Sequence, residues 1–521
     1  MAETEAATAP PAGAGGTGVR REVLIVLPGL LLAIMLAMLD QLVVSTALPR
    51  IVGDLGGVTH LSWVVTAYVL ASTVTTPLYG KLGDLYGRKR WLMIAIVIFL
   101  IGSALSGLAH SMDQLIMFRA LQGLGAGGLL TGAIATIGDL VSPRERGQYM
   151  GYIMGVMTLA MIAGPLVGGY ITENFSWRWI FYINMPIGGA ALVYLALTMH
   201  LARRRVDHRI DYAGAITLAI AATAIILMTT WGGTQYAWAS VQVIGLAVLA
   251  AVATVAFLAI ESRAPEPILP LNVFRNRNFS LAIAMSFLLG LALFGALTFL
   301  PLYQQTVQHL SPTGSGLMLI PMMLGSTVTA LISGQVTTKT GRYKVLPIIG
   351  GGVMSVGMFM LTRLGLNTSL WETGFFFAVI GLGMGFLMQI TTLVAQNSVA
   401  PTEMGVASSS RTFFQQIGGS LGVAAFGAVF ARRLIESLAA QLPGLHMHVK
   451  GAQLNPATVD HLPLVVRHGF FVAITHAVTA VFWMVVPAAA VVFVLAWLIK
   501  EVPLRGRETS AEEKPAPELV A

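Results

Sequence analysis

The chain contains no cysteine, so disulfides, thiolate metal sites and cysteine nucleophiles are excluded. Charge is scarce as well. Only 10% of the 521 residues are Asp, Glu, Lys or Arg, against 56% hydrophobic residues, and the mean hydropathy is +0.77. That is far too little polar surface to coat a soluble globule of this length. No Gly-x-x-x-x-Gly-Lys-Ser/Thr phosphate loop occurs, which argues against ATP-driven work by this chain itself. No catalytic constellation is apparent, so the chain is not expected to be an enzyme, and no metal site or cofactor is expected. A membrane β-barrel would show alternating polarity over segments of about 10 residues, and the chain lacks that pattern.

What it has instead is a series of apolar runs of about 20 residues, the length a helix needs to cross about 30 Å of hydrocarbon. The expected class is an all-α integral membrane protein with the lipid bilayer as its solvent. The runs fall at 24–47, 61–80, 91–109, 114–138, 148–171, 179–200, 211–231 and 240–260, then at 279–302, 314–336, 345–364, 373–397, 405–430 and 474–499. Residues 1–22, rich in Ala, Gly, Pro and Thr, read as a disordered tail rather than a cleavable signal, and 501–521 as a second tail. The loop at 431–470 carries His446, His448, His461 and His468. Without a paired carboxylate pattern these read as solvated residues rather than metal ligands.

The net charge of +8 is informative through its distribution rather than as a sign of nucleic-acid binding. Across fourteen runs, the tails and even-numbered loops hold 22 of the 31 Lys and Arg, the opposite side holds 7, and Arg119 and Arg411 lie inside runs. The bias places both termini in the cytoplasm of a multi-pass protein of the plasma (cell inner) membrane.

An internal repeat divides the runs. Gly123, Gly125 and Gly127 recur as Gly381, Gly383 and Gly385, and Glu145-Arg146-Gly147 as Glu403-Met404-Gly405, all at an offset of 258. The charged stretch Gly80 to Leu92 recurs at an offset of 254, with Gly80, Gly87, Arg88 and Arg90 matching Gly334, Gly341, Arg342 and Lys344. The expected organisation is a six-helix half at 23–205, two linker helices at 206–265 and a second six-helix half at 266–500. The linker helices carry no ionisable residue at mid-depth and read as a peripheral insert. Parallel repeats related about the membrane normal are one architecture of rocking transporters, whose site lies between the halves.

Five stretches carry a family likeness. Gly80 to Leu92 resembles the loop motif of the major facilitator superfamily. Leu39-Asp40 through Ala47-Leu48-Pro49 resembles the first-helix motif of its 14-spanning drug:proton antiporters, with Leu42 and Ser45 where Thr and Asn are usual. Arg119 with Gln122-Gly123 resembles the fourth-helix arginine motif. Gly164-Pro165-Leu166-Val167-Gly168-Gly169 resembles the fifth-helix antiporter motif, with Ala160 where a leading glycine is common. Trp177 to Asn184 resembles the stretch entering helix 6 in the 14-spanners. The resemblance covers about residues 20–500 and implies the major facilitator fold with 6 + 2 + 6 helices. It also implies proton-coupled export, since the antiporter motif accompanies export rather than uptake.

Asp40 is the only carboxylate deep inside a run, and an unpaired buried carboxylate is costly. It lies about 12 Å below the outer end of its helix and Arg119 about 9 Å below the outer end of its own, so the two share a depth. A fixed structural ion pair is one reading. The sharper one makes Asp40 and Arg119 the proton-coupling pair, because a desolvated carboxylate takes up a proton when its guanidinium turns away and releases it when the guanidinium returns.

The hairpin glycines suit a tight connection and its cations hold that connection in the cytoplasm. By resemblance, Gly80, Asp84, Gly87, Arg88, Arg90 and Asp139 form a gate, with Asp84 facing the start of helix 13 near Pro401 to Gly405 and Arg88 reaching Asp139. The second copy has Thr338 where Asp84 stands, so the gate is one-sided. Gly164, Pro165, Gly168 and Gly169 form the antiporter motif, although packing alone would also account for small residues there. The substrate-cavity expectations are Gln122, Phe294, Tyr303, Gln304, Met388, Gln389, Arg411, Phe414 and Gln415.

The expected function is export of small lipophilic compounds in exchange for protons, the coupling ion. A dedicated exporter of one metabolite, a proton-linked importer, and a non-transporting receptor of the same fold are the alternatives. The expected partners are lipid, substrate and protons, with no nucleic acid, and the chain is expected to act as a monomer.

Overall fold

The computed structural model describes residues 15–55, 61–141, 145–199, 211–233, 235–310, 312–441 and 464–504. Among them the architecture is helical, with a single isolated bridge between Gly232 and Tyr236. The long helices are α1 (Gly15–Leu55), α2 (Leu61–Tyr86), α3 (Arg88–Gly107), α4 (Met112–Leu140), α5 (Arg146–Asn174), α6 (Asn184–Thr198) and α7 (Tyr212–Trp231). They continue as α8 (Val241–Glu261), α9 (Arg277–Thr306), α10 (Ile320–Thr340), α11 (Val345–Leu361), α12 (Leu370–Asn397), α13 (Met404–Gln441) and α14 (Leu464–Leu498). Twelve helical stretches of the described residues have the length and composition to cross a membrane. The two helices outside that set are α2, diluted by Ser and Thr, and α11, only 17 residues long.

Several boundaries differ from the sequence expectation, each for a local reason. Helix α1 begins at Gly15, inside the expected tail, because adding residues to an already nucleated helix costs little. The sixth run is split into a one-turn helix, Trp179–Tyr182, and α6. Pro186 there has no N–H for the Tyr182 carbonyl. The tenth run likewise splits into Pro312–Leu317 and α10, with Pro321 opening the second piece. Helix α13 continues to Gln441, its last exposed turns carrying Arg432 and Arg433 on Glu436. The expected loop at 431–470 is therefore helical up to 441, and α14 starts at Leu464. His446, His448 and His461 lie outside the described residues, as do 1–14 and 505–521, whereas His468 stands in α14.

Packing follows the repeat helix by helix. Helix α4 packs on α2 and α3, and α12 on α10 and α11. Helix α1 packs on α5 and α6, and α9 on α13 and α14. The two sets join through α2 on α13 and α5 on α10, which exchange under the same correspondence. The repeated glycine triplets make the crossings close. A methyl on Gly125 would lie 2.5 Å from the Phe99 nitrogen, and one on Gly383 2.5 Å from the Met354 nitrogen, well inside contact distance.

Helix α8 is peripheral, resting on α7 and exposing Val241, Val248, Val252 and Val255. Helix α7 is not, and this corrects the expectation for the insert. It packs against α2 and α13 through Leu218, Ala222 and Ile226, which share a core with Val406, Phe413 and Ile417. The Thr229 and Ser420 hydroxyls lie 2.6 Å apart across that contact.

Candidate functional site

The N-terminal half holds a buried polar cluster at mid-depth. Asp40 and Arg119 are each 1% exposed, and Arg119 Nη1 donates to Asp40 Oδ2 at 2.6 Å. The other carboxylate oxygen accepts from Gln122 Nε2 at 2.8 Å and Asn184 Nδ2 at 2.7 Å. Arg119 also donates to Gln122 Oε1 at 2.8 Å and lies 4.1 Å above the Tyr68 ring. Asn184 bonds Ser103 Oγ at 2.9 Å, and that hydroxyl donates to the Phe181 carbonyl. Helices α1, α4 and α6 thus meet at one carboxylate, with α3 bracing Asn184 through Ser103, which satisfies the charge as burial requires. Sequence reasoning found Asp40 and Arg119 but assigned Gln122 to the cavity and missed Asn184. The signal for Asn184 was its place at the end of the Trp177 to Asn184 stretch, directly ahead of Met185-Pro186.

At the hairpin face a second ionic cluster joins the two halves. Asp84 accepts from the backbone N–H of Gly405 at 3.0 Å and of Val406 at 2.9 Å, in the first turn of α13. A helix N-terminus offers unpaired donors and partial positive charge, so a carboxylate belongs there. Arg88 pairs with Asp84 and, through Nε, with Asp139 at 2.8 Å, and its Nη1 donates to the Gly80 carbonyl. Gly80 and Gly405 sit at the crossing itself, where a methyl on Gly80 would lie 2.7 Å from the Gly405 carbonyl. Gly87 makes the turn at φ +97, a conformation that favours glycine. Arg90 stands apart from this cluster, exposed at the surface, while Lys89 donates to the Ala196 carbonyl at 2.7 Å. Thr338, at the matching place in the second half, caps back onto its own helix at Gly334.

Between the halves lies a cavity of about 1280 Å³, larger than the roughly 300–1,000 Å³ typical of small-molecule pockets. Its wall is rich in methionine: Met38, Met154, Met157, Met161, Met323, Met384 and Met388. Toward its base are Gln389, Thr392, Arg411, Thr412 and Gln415. Gly232, Gly233, Trp238 and Ala431 line it at the face opposite the hairpin. The residues of the hairpin ionic cluster are not among its lining.

Of the expected cavity residues, Met388, Gln389, Arg411 and Gln415 are placed there. Others are not. Gln122 is bound to Asp40. Tyr303 is turned into the C-terminal core, its hydroxyl donating to the Gly365 carbonyl at 2.6 Å. Gln304 is fully buried off the cavity, and Phe414 packs edge-on against Phe274 and Phe413. The side chain of Phe294 lies outside the described residues. These misses share a cause, since a helix face turned to the core and one turned to a cavity carry the same residue types.

The Major Facilitator Superfamily model matches residues 30–423. The chain belongs to the major facilitator superfamily. It is 38% identical over 514 residues to an uncharacterized MFS-type transporter of Mycobacterium tuberculosis, a match covering 98% of this chain and 74% of that relative. To the multidrug transporter protein MdtP of Bacillus subtilis it is 39% identical over 438 residues, covering 82% and 81%. The crystal structure of the human organic anion transporter MFSD10 superposes with a TM-score of 0.60 at 14% identity, covering 94% of this chain and all of that one. That likeness concerns the fold alone. This major facilitator protein is thus a multi-pass membrane transporter by family, not an enzyme, with efflux pumps among its relatives.

In this family member the α5 motif divides. Gly164 meets α1 closely, since a methyl there would lie 2.6 Å from Leu42 Cβ, and Gly168 is buried, accepting from Thr172 at 2.6 Å. Gly169 has open space around it. The side chain of Pro165 lies outside the described residues.

Proposed function

We propose that the protein is a fourteen-span proton-coupled antiporter that exports lipophilic compounds by alternating access, with both termini on the cytoplasmic side of the plasma (cell inner) membrane. The observation that carries this reading is the sealed Asp40–Arg119 pair beside a large cavity. Asp40 is buried in the N-terminal half, yet its neighbours on α1, Met38, Gln41 and Leu42, line the cavity. A carboxylate so placed binds a proton when it loses its guanidinium and gives it up when the pair re-forms. The hairpin latch supports the same reading, because it ties α2 to α13 on one face while the cavity reaches the other.

The energy suffices. One charge moved through 100 mV is worth about 2.3 kcal/mol and each pH unit about 1.4 kcal/mol, enough together for a substrate gradient of more than about tenfold per proton.

The test is substrate-dependent proton release from everted vesicles, with a panel of cationic, neutral and anionic compounds. Wild-type protein releases protons when substrate is added, and Asp40→Asn inserts normally but does not. Undiminished release from the variant would remove Asp40 from the mechanism. Silence from correctly inserted wild-type protein with every compound would favour the receptor alternative.

A further inference from the structure

Among the described residues lining the cavity there is no Asp, Glu, Lys or His, and Arg411 is the one charged side chain. It sits on α13 between the latch and the cavity centre, 5% exposed. Two of its three guanidinium nitrogens, Nε and Nη2, are buried with no hydrogen-bond partner among the described residues. Arg119, the other buried arginine at mid-depth, is surrounded by acceptors, whereas Nε and Nη2 of Arg411 have none among the described residues. Gln389, on α12, lines the same cavity with both amide atoms unpartnered. Gln415 follows one helical turn after Arg411 on the same face of α13.

A guanidinium stays protonated under any physiological condition, and leaving its donors buried without acceptors is costly. A planar fork of donors is complementary to a carboxylate or a similar oxyanion. A cation in the same cavity would meet only like charge, in surroundings that screen it poorly. We infer that Arg411, assisted by Gln389 and Gln415, recognises the acidic headgroup of a lipophilic monoanion whose hydrocarbon lies along the methionine wall. Carboxylates, phenolates and sulfonates share the needed chemistry. The inference rests on the cavity being the substrate site and adds a charge class to it.

The probes are 1-pyrenebutyrate, its methyl ester and 1-pyrenebutylamine, titrated by fluorescence against the purified full chain in phosphatidylcholine nanodiscs with no proton gradient. Wild-type protein should bind the acid at least about tenfold more tightly than the ester, the contribution of one charge-assisted contact, and bind the amine most weakly. Arg411→Gln should bring acid binding down to the level of the ester in the same variant, while Arg411→Lys should keep part of the preference for the acid.

Equal binding of acid and ester by the wild type, a comparison that needs no variant, would overturn the inference. So would an acid preference that survives in a folded Arg411→Gln protein. Displacement of the acid by a few phosphatidylglycerol molecules per disc would assign the site to a lipid headgroup instead and overturn it too. Because no gradient is present, failure here leaves vesicle proton release standing. Loss of proton release likewise leaves the acid preference standing.

Discussion

Replacing Asp84 by Asn isolates the contact that holds the two halves together at the hairpin face. The carboxylate accepts from two backbone donors of α13, at 3.0 and 2.9 Å, and balances Arg88, which also holds Asp139. Asparagine keeps one acceptor oxygen and turns an NH2 toward a donor, so one charge-assisted hydrogen bond is lost and a second is weakened by loss of charge. Such bonds contribute about 1.5–3 kcal/mol and a carboxylate at a helix N-terminus about 0.3–1 kcal/mol. The hairpin-closed conformer should therefore lose about 2–4 kcal/mol, a shift of about 30- to 700-fold in its population relative to the hairpin-open one. The absence of native cysteine allows clean spin labelling at Arg90→Cys and Arg342→Cys, two exposed positions in the paired hairpins. Double electron–electron resonance should give one short distance for the parent, and a second, longer population when Asp84→Asn is added. An unchanged distance distribution would refute the latch.

Three further outcomes follow from particular contacts. Asn184→Leu removes a donor from Asp40 and one from Ser103 in a dry site, so it should cost about 1–3 kcal/mol, read as a lower melting temperature in detergent. Gly385→Ala places a methyl against the Ser326 carbonyl and Thr329 hydroxyl at the α10–α12 crossing, whereas Gly169→Ala meets open space. The first should destabilise by about 1–3 kcal/mol and the second by no more than about 0.5 kcal/mol in the same melting assay. Thr229→Val and Ser420→Ala break a single hydroxyl contact between α7 and α13. Their double-mutant cycle should show about 0.5–1.5 kcal/mol of coupling, and strict additivity would mean that α7 merely lies beside the transport core.

The sequence displayed what depends on scarcity or repetition. One carboxylate and one of two intramembrane arginines stood out against apolar neighbours, and those two meet in the structure. The offset glycines announced α4 and α12, because a close helix crossing tolerates little else. The ionic contact at the hairpin was legible through Asp84, Arg88 and Asp139, whose side chains have few roles open to them in such surroundings. What stayed hidden depends on rotation about a helix axis. Gln122 and Gln389 look alike in sequence, yet one is bound to Asp40 and the other lines the cavity. Tyr303 and Phe414 read as cavity residues and turned out to be packing. The role of α7 was hidden for the same reason, since its Leu, Ile and Ala could as well have faced lipid.

The buried pair and the cavity are separated by little more than one side chain, and under the proposed antiport this would give coupling a direction. Tyr68 lines the cavity, places its ring 4.1 Å from the Arg119 guanidinium and donates to the Ala37 carbonyl on α1 at 3.4 Å. Arg119 lies against that ring, and the small exposed part of Tyr68 forms part of the cavity wall. Under the proposed antiport, a substrate that fills the cavity and holds Tyr68 in place would favour the intact pair. On the same reading, a proton on Asp40 would remove the attraction that keeps Arg119 there and free Tyr68 to shift. By linkage, if substrate disfavours the proton, the proton disfavours substrate to the same degree. Mutual exclusion between two ligands at neighbouring sites is what the proposed exchange requires, and it would need no contact between them beyond a shared tyrosine and the helix that carries Asp40.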